Sequence, residues 1–299
     1  MKNQHFSFFR IVILLSVFTF SISYSIAQSE TEEINEAIVT KTKAEKKAER
    51  KRLNKEALKG RRFNVNVTLN YAKFNSEMRV TGPNGVLGAT ISFEDLLGFD
   101  ENKFIPSFDA EYSFTRHSGI YAEYYAIFRD ATFDITEEFE YGDVIIPEGG
   151  GILRTFFNTQ IWSMGYMYSF INSEKANLSV FVNFFILGFK TGIDIDSQNI
   201  SERLNFTAPL PSFGYKFSYE IAPKLRFAAS HSFFFLEIGG FSGSINNLRL
   251  SLDYEATSWM RAGLGYTAFN LDLSIIDDNF TGDFFINYKG PAIYTQFVF

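Results

Sequence analysis

The chain of 299 residues contains no cysteine and only three histidines, at positions 5, 117 and 231. The lack of cysteine excludes disulfides, thiol chemistry and the lipid-attachment site of a lipoprotein. His231 lies between Ser230 and Ser232, but neighbouring residues of a strand point to opposite faces, so a catalytic His/Ser pair is not predicted. A His/Cys metal cluster is not predicted either. We expect no enzyme activity, no cofactor and no metal.

Long apolar runs are also missing after residue 27, where no stretch reaches the ~18 residues of a spanning helix. The first 27 residues combine Lys2 and Arg10 with the apolar run 11–20 and a small-x-small end, Ser25-Ile-Ala27. This pattern predicts a cleaved secretory signal peptide. The exported protein is then either soluble or crosses a membrane as strands.

Charge divides the remaining chain in two. Residues 28–62 hold 11 basic and 7 acidic side chains, whereas residues 63–299 hold 15 basic and 27 acidic ones. The basic segment is rich in helix formers and predicts a charged, partly helical arm. It is either a solvated tether or a periplasmic arm that docks on an anionic partner or on the inner surface of the membrane. A net charge of −6 on an exported chain argues against nucleic acid.

Residues 63–299 predict strands, because aromatic residues make up 18% of the chain and apolar and polar residues alternate. Ten such runs occur. Short links at 115–118, 171–177, 222–224 and 256–258 alternate with longer ones at 75–103, 130–152, 194–211, 237–244 and 272–282. These features predict a ten-stranded antiparallel up-and-down transmembrane β-barrel over 63–299. A soluble barrel with its apolar face inward is the rival, but polar residues oppose the continuous aromatic stripes.

The C-terminal run "YKGPAIYTQFVF" ends with Phe297 and Phe299 on one face of a strand. It resembles the insertion signal that the outer-membrane barrel assembly machinery reads. The runs "APLPSFGYKFSYEIAPKLRF" and "LGYTAFNLDL" resemble small bacterial outer-membrane barrels whose function is uncharacterised. The resemblance covers residues 63–299 and implies the outer membrane, its lipid and lipopolysaccharide as surroundings. It implies no substrate.

Alternation along the strands also predicts which residues face the lumen, provided that no bulge inverts a strand. Toward the periplasm, the predicted inward residues form a polar network: Asp109, Glu111, Glu123, Lys216, Glu220, Arg226, Arg249, Asp253 and Arg261. Toward the outside, they turn apolar and predict an apolar cup lined by Phe185, Phe234 and Phe269.

Two functions are compatible with these patterns. In the first, the barrel binds or admits small hydrophobic molecules through its outer mouth. A general porin is not predicted, because a ten-stranded barrel is too narrow for an open aqueous channel. In the second, the lumen is plugged, and the barrel has a structural or interaction role toward lipopolysaccharide or a periplasmic partner. Barrel proteases of the omptin type use Asp and His at the outer rim, and no predicted outer loop contains a histidine. The acidic loop at 130–152 predicts a solvated face that bridges to lipopolysaccharide through cations.

Overall fold

The computed structural model describes residues 43–57, 62–81, 90–134, 139–141, 144–146, 148, 151–195, 200–277 and 280–299. The predicted signal peptide, residues 1–27, lies outside them. The described elements are α1 (Lys43–Ala57), β1 (Phe63–Thr81), β2 (Thr90–Ser92), β3 (Asn102–Ser113), β4 (Ser118–Asp134), β5 (Phe139–Tyr141), β6 (Val144–Ile146), β7 (Ile152–Asn172), β8 (Ala176–Ile195), β9 (Ile200–Ala222), β10 (Leu225–Ile238), β11 (Phe241–Thr257), β12 (Met260–Asp277) and β13 (Phe280–Val298).

The ten long strands form a closed antiparallel barrel, which confirms the fold predicted from the sequence. Their order around the barrel is β1-β3-β4-β7-β8-β9-β10-β11-β12-β13. β13 pairs with β1 along its length and closes the sheet. At the seam, Phe63 and Phe299 exchange backbone hydrogen bonds of 3.0 and 2.8 Å. A closed sheet pairs its own edges, as a hydrocarbon environment requires.

The two ends of the barrel differ in their links. Residues 114–117, 173–175, 223–224 and 258–259 connect strands at the end that also holds Phe63 and Phe299, which we call the turn end. The opposite end is the loop end. The long or medium loops predicted there at 194–211, 237–244 and 272–282 are wrong, because strands continue to the short links 196–199, 239–240 and 278–279.

Outward side chains form an apolar belt around the turn-end half of the barrel, which we call the lower barrel. On β1 the belt consists of Phe63, Val65, Val67, Leu69 and Tyr71. On β13 it consists of Pro291, Ile293, Thr295, Phe297 and Phe299. Each of these stretches covers nine residues, close to the ~9–11 that a tilted strand needs to cross a bilayer.

Beyond the belt the two faces of the sheet exchange polarity, although the same residues continue to alternate outward and inward. We call this loop-end half the upper barrel. Its outward side chains are mainly polar, among them Lys73, Asn158, Lys190, Asp272 and Asn287. Its inward side chains are mainly apolar and buried, among them Phe74, Phe157, Phe189, Leu271 and Phe284. Apolar inside and polar outside is the pattern of a barrel in water. The strands therefore extend past the belt and continue into residues predicted as loops, at 200–211, 241–244 and 272–277.

α1 precedes the barrel at the turn end. Seven of its 15 residues are Lys or Arg and three are Glu, so no face of the helix is continuously apolar. The backbone N–H of Arg116 donates to Asn54 Oδ1 at 3.4 Å, which brings the helix beside the link 114–117. In the described part of the chain, no helix has the length and apolar character needed to cross a membrane.

Candidate functional site

A packed apolar core fills the lumen of the upper barrel. Phe157 of β7 packs against Phe189 of β8 with ring centroids 4.9 Å apart. Phe189 in turn contacts Phe284 of β13 at 5.3 Å. Since β8 and β13 stand on opposite sides of the ten-stranded ring, these rings bridge the lumen from wall to wall.

The chain between β1 and β3 contributes to this core. β2 pairs with β1 at Met78↔Ile91, and the chain then turns inward over residues 93–100, which we call the plug. The Phe93 N–H donates to the Ser76 carbonyl at 2.9 Å. The Phe93 ring lies 4.7 Å from that of Phe157. Three apolar side chains of the plug are buried: Phe93, Leu97 and Phe99.

Arg129 of β4 fastens the plug to the barrel wall. Its Nη2 donates to Glu94 Oε1 at 2.6 Å and to the Asp100 carbonyl at 3.0 Å. Its guanidinium lies over the rings of Phe74 and Phe99, at 4.4 and 5.0 Å. The Arg129 and Glu94 side chains are only 2% and 5% exposed. Neither residue was predicted from the sequence, although a basic residue at an inward position of an apolar stretch is a usable signal.

The three phenylalanines predicted to line an apolar cup lie on the lumen side, but the cup is filled. Phe185, Phe234 and Phe269 all belong to the packed core. Phe269 stacks on Tyr288 with centroids 4.9 Å apart. A ten-stranded lumen is narrow enough for side chains from facing walls to meet. The apolar surfaces of the described residues therefore bury one another in the upper lumen.

Charged side chains pair across the lumen of the lower barrel. Lys216 Nζ of β9 donates to Glu111 Oε2 of β3 at 2.8 Å, and Arg249 of β11 pairs with Glu123 of β4. The nine residues predicted to form a polar network all border this lumen: Asp109, Glu111, Glu123, Lys216, Glu220, Arg226, Arg249, Asp253 and Arg261. Their functional role stays a prediction.

Two arginines shape the turn-end rim of the lumen. Arg226 donates to the Glu174 carbonyl at 2.7 Å and to Ser218 Oγ at 3.2 Å. Arg261 donates to Gln296 Oε1 at 3.1 Å and to Glu255 Oε2 at 3.3 Å. Both arginines are partly exposed, so the rim is hydrated, in contrast to the core.

A cavity of about 200 Å³ lies between the core and the rim. Six charged side chains border it: Asp109, Glu111, Glu123, Lys216, Arg249 and Asp253. Apolar side chains form another part of its wall: Met167, Phe181, Phe185, Ala228 and Ala292. Asp253 borders both the cavity and the rim. The arrangement is a mixed polar and apolar chamber, closed toward the loop end and continuous with the turn-end rim.

Inward glycines keep this chamber open. A Cβ atom at Gly214 would lie 2.3 Å from the ring of Phe181, so the ring lies flat against the neighbouring strand. Two further rings lie on glycines in the same way: Tyr121 on Gly165 and Tyr294 on Gly263. A Cβ atom at either glycine would lie 2.8 Å from the ring. The sequence analysis missed these glycines. Glycine inside a strand was the available signal, since it marks a close approach.

The rings of the two described histidines contact a backbone carbonyl and an amide oxygen. His231 faces outward beside Tyr215 and Phe233, with Nε2 at 3.1 Å from Asn246 Oδ1. His117 Nδ1 lies 2.8 Å from the Ser169 carbonyl in a turn-end link.

The acidic loop lies largely outside the described residues. Of its carboxylates, Glu137, Glu138 and Asp143 are not described, so a cation site there stays untested. Across the described ranges, no group of three His, Asp or Glu residues is arranged to hold a metal ion.

No protein-family model matches the sequence, and no curated protein matches it. The fold is similar to that of the outer membrane protease OmpT from Escherichia coli, with a TM-score of 0.52 at 9% identity, covering 80% of this chain and 97% of that one. The toluene transporter TodX of P. putida matches with a TM-score of 0.34 at 6% identity, covering 80% and 90%. The attachment protein Ail of Yersinia pestis matches with a TM-score of 0.32 at 11% identity, covering 77% and 99%. The likeness to OmpT shows a shared barrel fold and carries no statement about activity.

Proposed function

We propose that this chain is a bacterial outer-membrane protein, exported through a cleaved signal peptide, whose closed barrel has a structural or interaction role. In this proposal, the lower barrel spans the membrane, the turn end faces the periplasm and the upper barrel stands outside the cell. Short links and both barrel termini at one end are the usual arrangement of such barrels on the periplasmic side. The nine-residue apolar belt supports the same placement.

The packed core of the upper barrel is the observation that carries the closed-barrel proposal. Rings from β7, β8 and β13 meet across the lumen, and the plug adds Phe93, Leu97 and Phe99. Protein interiors packed in this way have few voids larger than a water molecule. A solute entering from the loop end meets this core before it reaches the chamber.

The partners follow from where charge and apolar surface lie. We propose that the cationic helix α1 and its flanking residues bind an anionic surface in the periplasm, the phosphate-bearing inner leaflet or an acidic partner. Outer-membrane lipid covers the belt, and lipopolysaccharide surrounds the barrel at the level of the outer leaflet. The barrel assembly machinery recognises Phe297 and Phe299. A catalytic role is not part of the proposal: the His117 ring contacts a backbone carbonyl, and the His231 ring contacts an amide oxygen.

Admission of small hydrophobic molecules is the second candidate function. It is favoured by one observation: the core that closes the loop end is aromatic, and its plug is attached through Arg129 and Glu94. If the plug moved, Phe234 and Phe269 would border an apolar opening. In the resting structure this opening is filled.

Ion conductance of the purified barrel in planar bilayers tests the proposal. We expect no stepwise conductance from the native protein. A variant in which residues 93–99 are replaced by a short Gly/Ser linker, combined with Arg129→Met, serves as the control, because it lacks Phe93, Leu97 and Phe99 and leaves no unpaired charge at position 129. It should show conductance events or leak. Stable open channels from the native chain would contradict the closed-barrel proposal.

An apolar fluorescent naphthylamine tests the second candidate in the same preparation. Saturable binding that is weakened at least tenfold, about 1.4 kcal/mol, by Phe234→Ala with Phe269→Ala would favour admission through the outer mouth. Phe235→Ala is the matched control, since Phe235 is the next residue, faces outward and is 73% exposed. Equal effects of inward and outward changes would reject the second candidate.

A further inference from the structure

The wall of the chamber in the lower barrel carries more carboxylates than cations, and the next cations, Arg226 and Arg261, lie at the turn-end rim beside Asp253. Four carboxylates border the chamber, from Asp109, Glu111, Glu123 and Asp253, against the two cations Lys216 and Arg249. Each cation already has a carboxylate partner, Glu111 and Glu123. Among the described residues, Asp109 and Asp253 take part in no ion pair. Asp109 accepts a hydrogen bond from the Asn66 amide instead.

The unsatisfied polar atoms of the chamber are all acceptors. Asp253 Oδ1 and Asn247 Oδ1 are buried, border the chamber and have no hydrogen-bond partner in the protein. The two side chains are 6% and 5% exposed. Asn66 Oδ1 is a third such atom. Buried acceptors without donors are costly, so the chamber is complementary to a molecule that brings N–H donors and positive charge.

The opposite wall excludes a bare metal ion as the best fit. Met167, Phe181, Phe185 and Ala292 present apolar surface to the same chamber, and the described carboxylates are not clustered as metal ligands. Tyr121 and Tyr294 add aromatic rings, whose faces attract ammonium groups. A volume of about 200 Å³ is much larger than the ~30 Å³ share of one water. A short alkyl chain with amine ends satisfies both walls.

We propose that this chamber is a binding site for a small organic cation, a short-chain alkyl diamine, that enters through the turn-end rim. One ammonium group is held by Asp253 and Asn247, and the other by Asp109. The chain between them lies against Phe181 and Phe185. Access from the turn end follows from the partly exposed rim and from the core that closes the loop end. This proposal goes beyond the structural role and does not depend on whether α1 binds a partner.

Calorimetric titration of the detergent-solubilised barrel with pentane-1,5-diamine, at constant ionic strength, tests the site. We expect saturable binding at one site per barrel. Pentane-1,5-diol, which has the same chain without charge, and glutarate, which has the opposite charge, should give no binding. Equal binding of the diol, or the same heat from sodium chloride alone, would overturn the proposal.

Variants locate the binding in the chamber. Asp253→Asn should weaken diamine binding at least tenfold, and Asn247→Ala should weaken it several-fold. Asp130→Asn makes the same chemical change on an exposed outward residue of the upper barrel and should leave the affinity unchanged. Heat-modified gel migration identifies folded protein, and Asn247→Ala provides the test if Asp253→Asn does not fold. Unchanged affinity in the folded chamber variants would overturn the proposal.

Discussion

At the scale of the residue, Arg129 combines charge with deep burial. It lies in the apolar core of the upper barrel, between two aromatic rings and the Glu94 carboxylate. A buried ion pair adds little stability relative to a well-packed apolar pair, but loss of one partner leaves a buried charge alone. The plug is therefore held in the barrel by the ion pair between its own Glu94 and Arg129 of β4.

Replacement of Arg129 by methionine should destabilise the folded barrel by about 3–5 kcal/mol, because Glu94 then remains buried without its cation. Urea unfolding in micelles, followed by heat-modified migration, measures the loss. The double change Arg129→Met with Glu94→Gln should recover part of it. Lys73→Met is the matched control: Lys73 pairs with Glu101 at 2.8 Å, but on the exposed surface. If both methionine variants unfold at the same urea concentration, the role assigned to Arg129 is wrong.

At the scale of the element, the two faces of β13 have different surroundings. Its outward side chains Ile293, Phe297 and Phe299 belong to the belt, and its inward side chains Ala292, Tyr294 and Gln296 border the chamber. Pairing with β1 closes the barrel. The strand predicted to carry the insertion signal is therefore also the strand that completes the sheet.

Replacing both Phe297 and Phe299 by aspartate should block assembly into the outer membrane. The assembly machinery would lose the C-terminal aromatic face, and charges would stand on the lipid side, where they cost most toward the membrane centre. Abundance in the outer-membrane fraction is the measurement. Asn287→Asp, on the same outward face but above the belt, should assemble normally. Normal abundance of the double variant would contradict the insertion-signal prediction.

At the scale of the whole molecule, the barrel has two halves with opposite polarity. The lower barrel has apolar residues outside and charges inside, whereas the upper barrel has an apolar core and a largely polar surface. In the proposed membrane placement, each half matches its surroundings, with hydrocarbon around the belt and water above it. The two tryptophans lie at the two borders of the belt. Trp162 is an outward residue of β7 next to the polar outward residue Gln160, and Trp259 lies in a turn-end link.

Depth-dependent quenching of the two tryptophans tests this division. Trp162 and Trp259 are both about half exposed, and aromatic residues of this kind favour the membrane interface. In single-tryptophan variants reconstituted into vesicles, both should be quenched more by spin labels near the headgroups than by labels at the bilayer centre. Stronger quenching of Trp162 by labels at the bilayer centre would mean that the belt extends further toward the loop end.

The facing of side chains in the lower barrel could be predicted from the sequence. Apolar residues at Phe63, Val65 and Val67 alternate with asparagines, and this period of two assigns each side chain to the outer surface or the lumen. The position of the short links then gives the direction of the strands. The same alternation placed Asp109, Arg249 and Phe185 on the lumen side, where the structure has them. These are local properties, and the sequence contains them directly.

Only the tertiary structure decided what fills the lumen. Phe189 meets Phe284, and Arg249 meets Glu123, across a closed ring, and such pairs depend on barrel diameter and register, which no local pattern specifies. The plug could not be distinguished from an ordinary loop, because its burial depends on walls contributed by distant strands. The chamber depends on rings lying against glycines of neighbouring strands. Sequence alternation thus determined whether each residue points outward or into the lumen. Closure of the sheet determined which inward residues touch and where space remains.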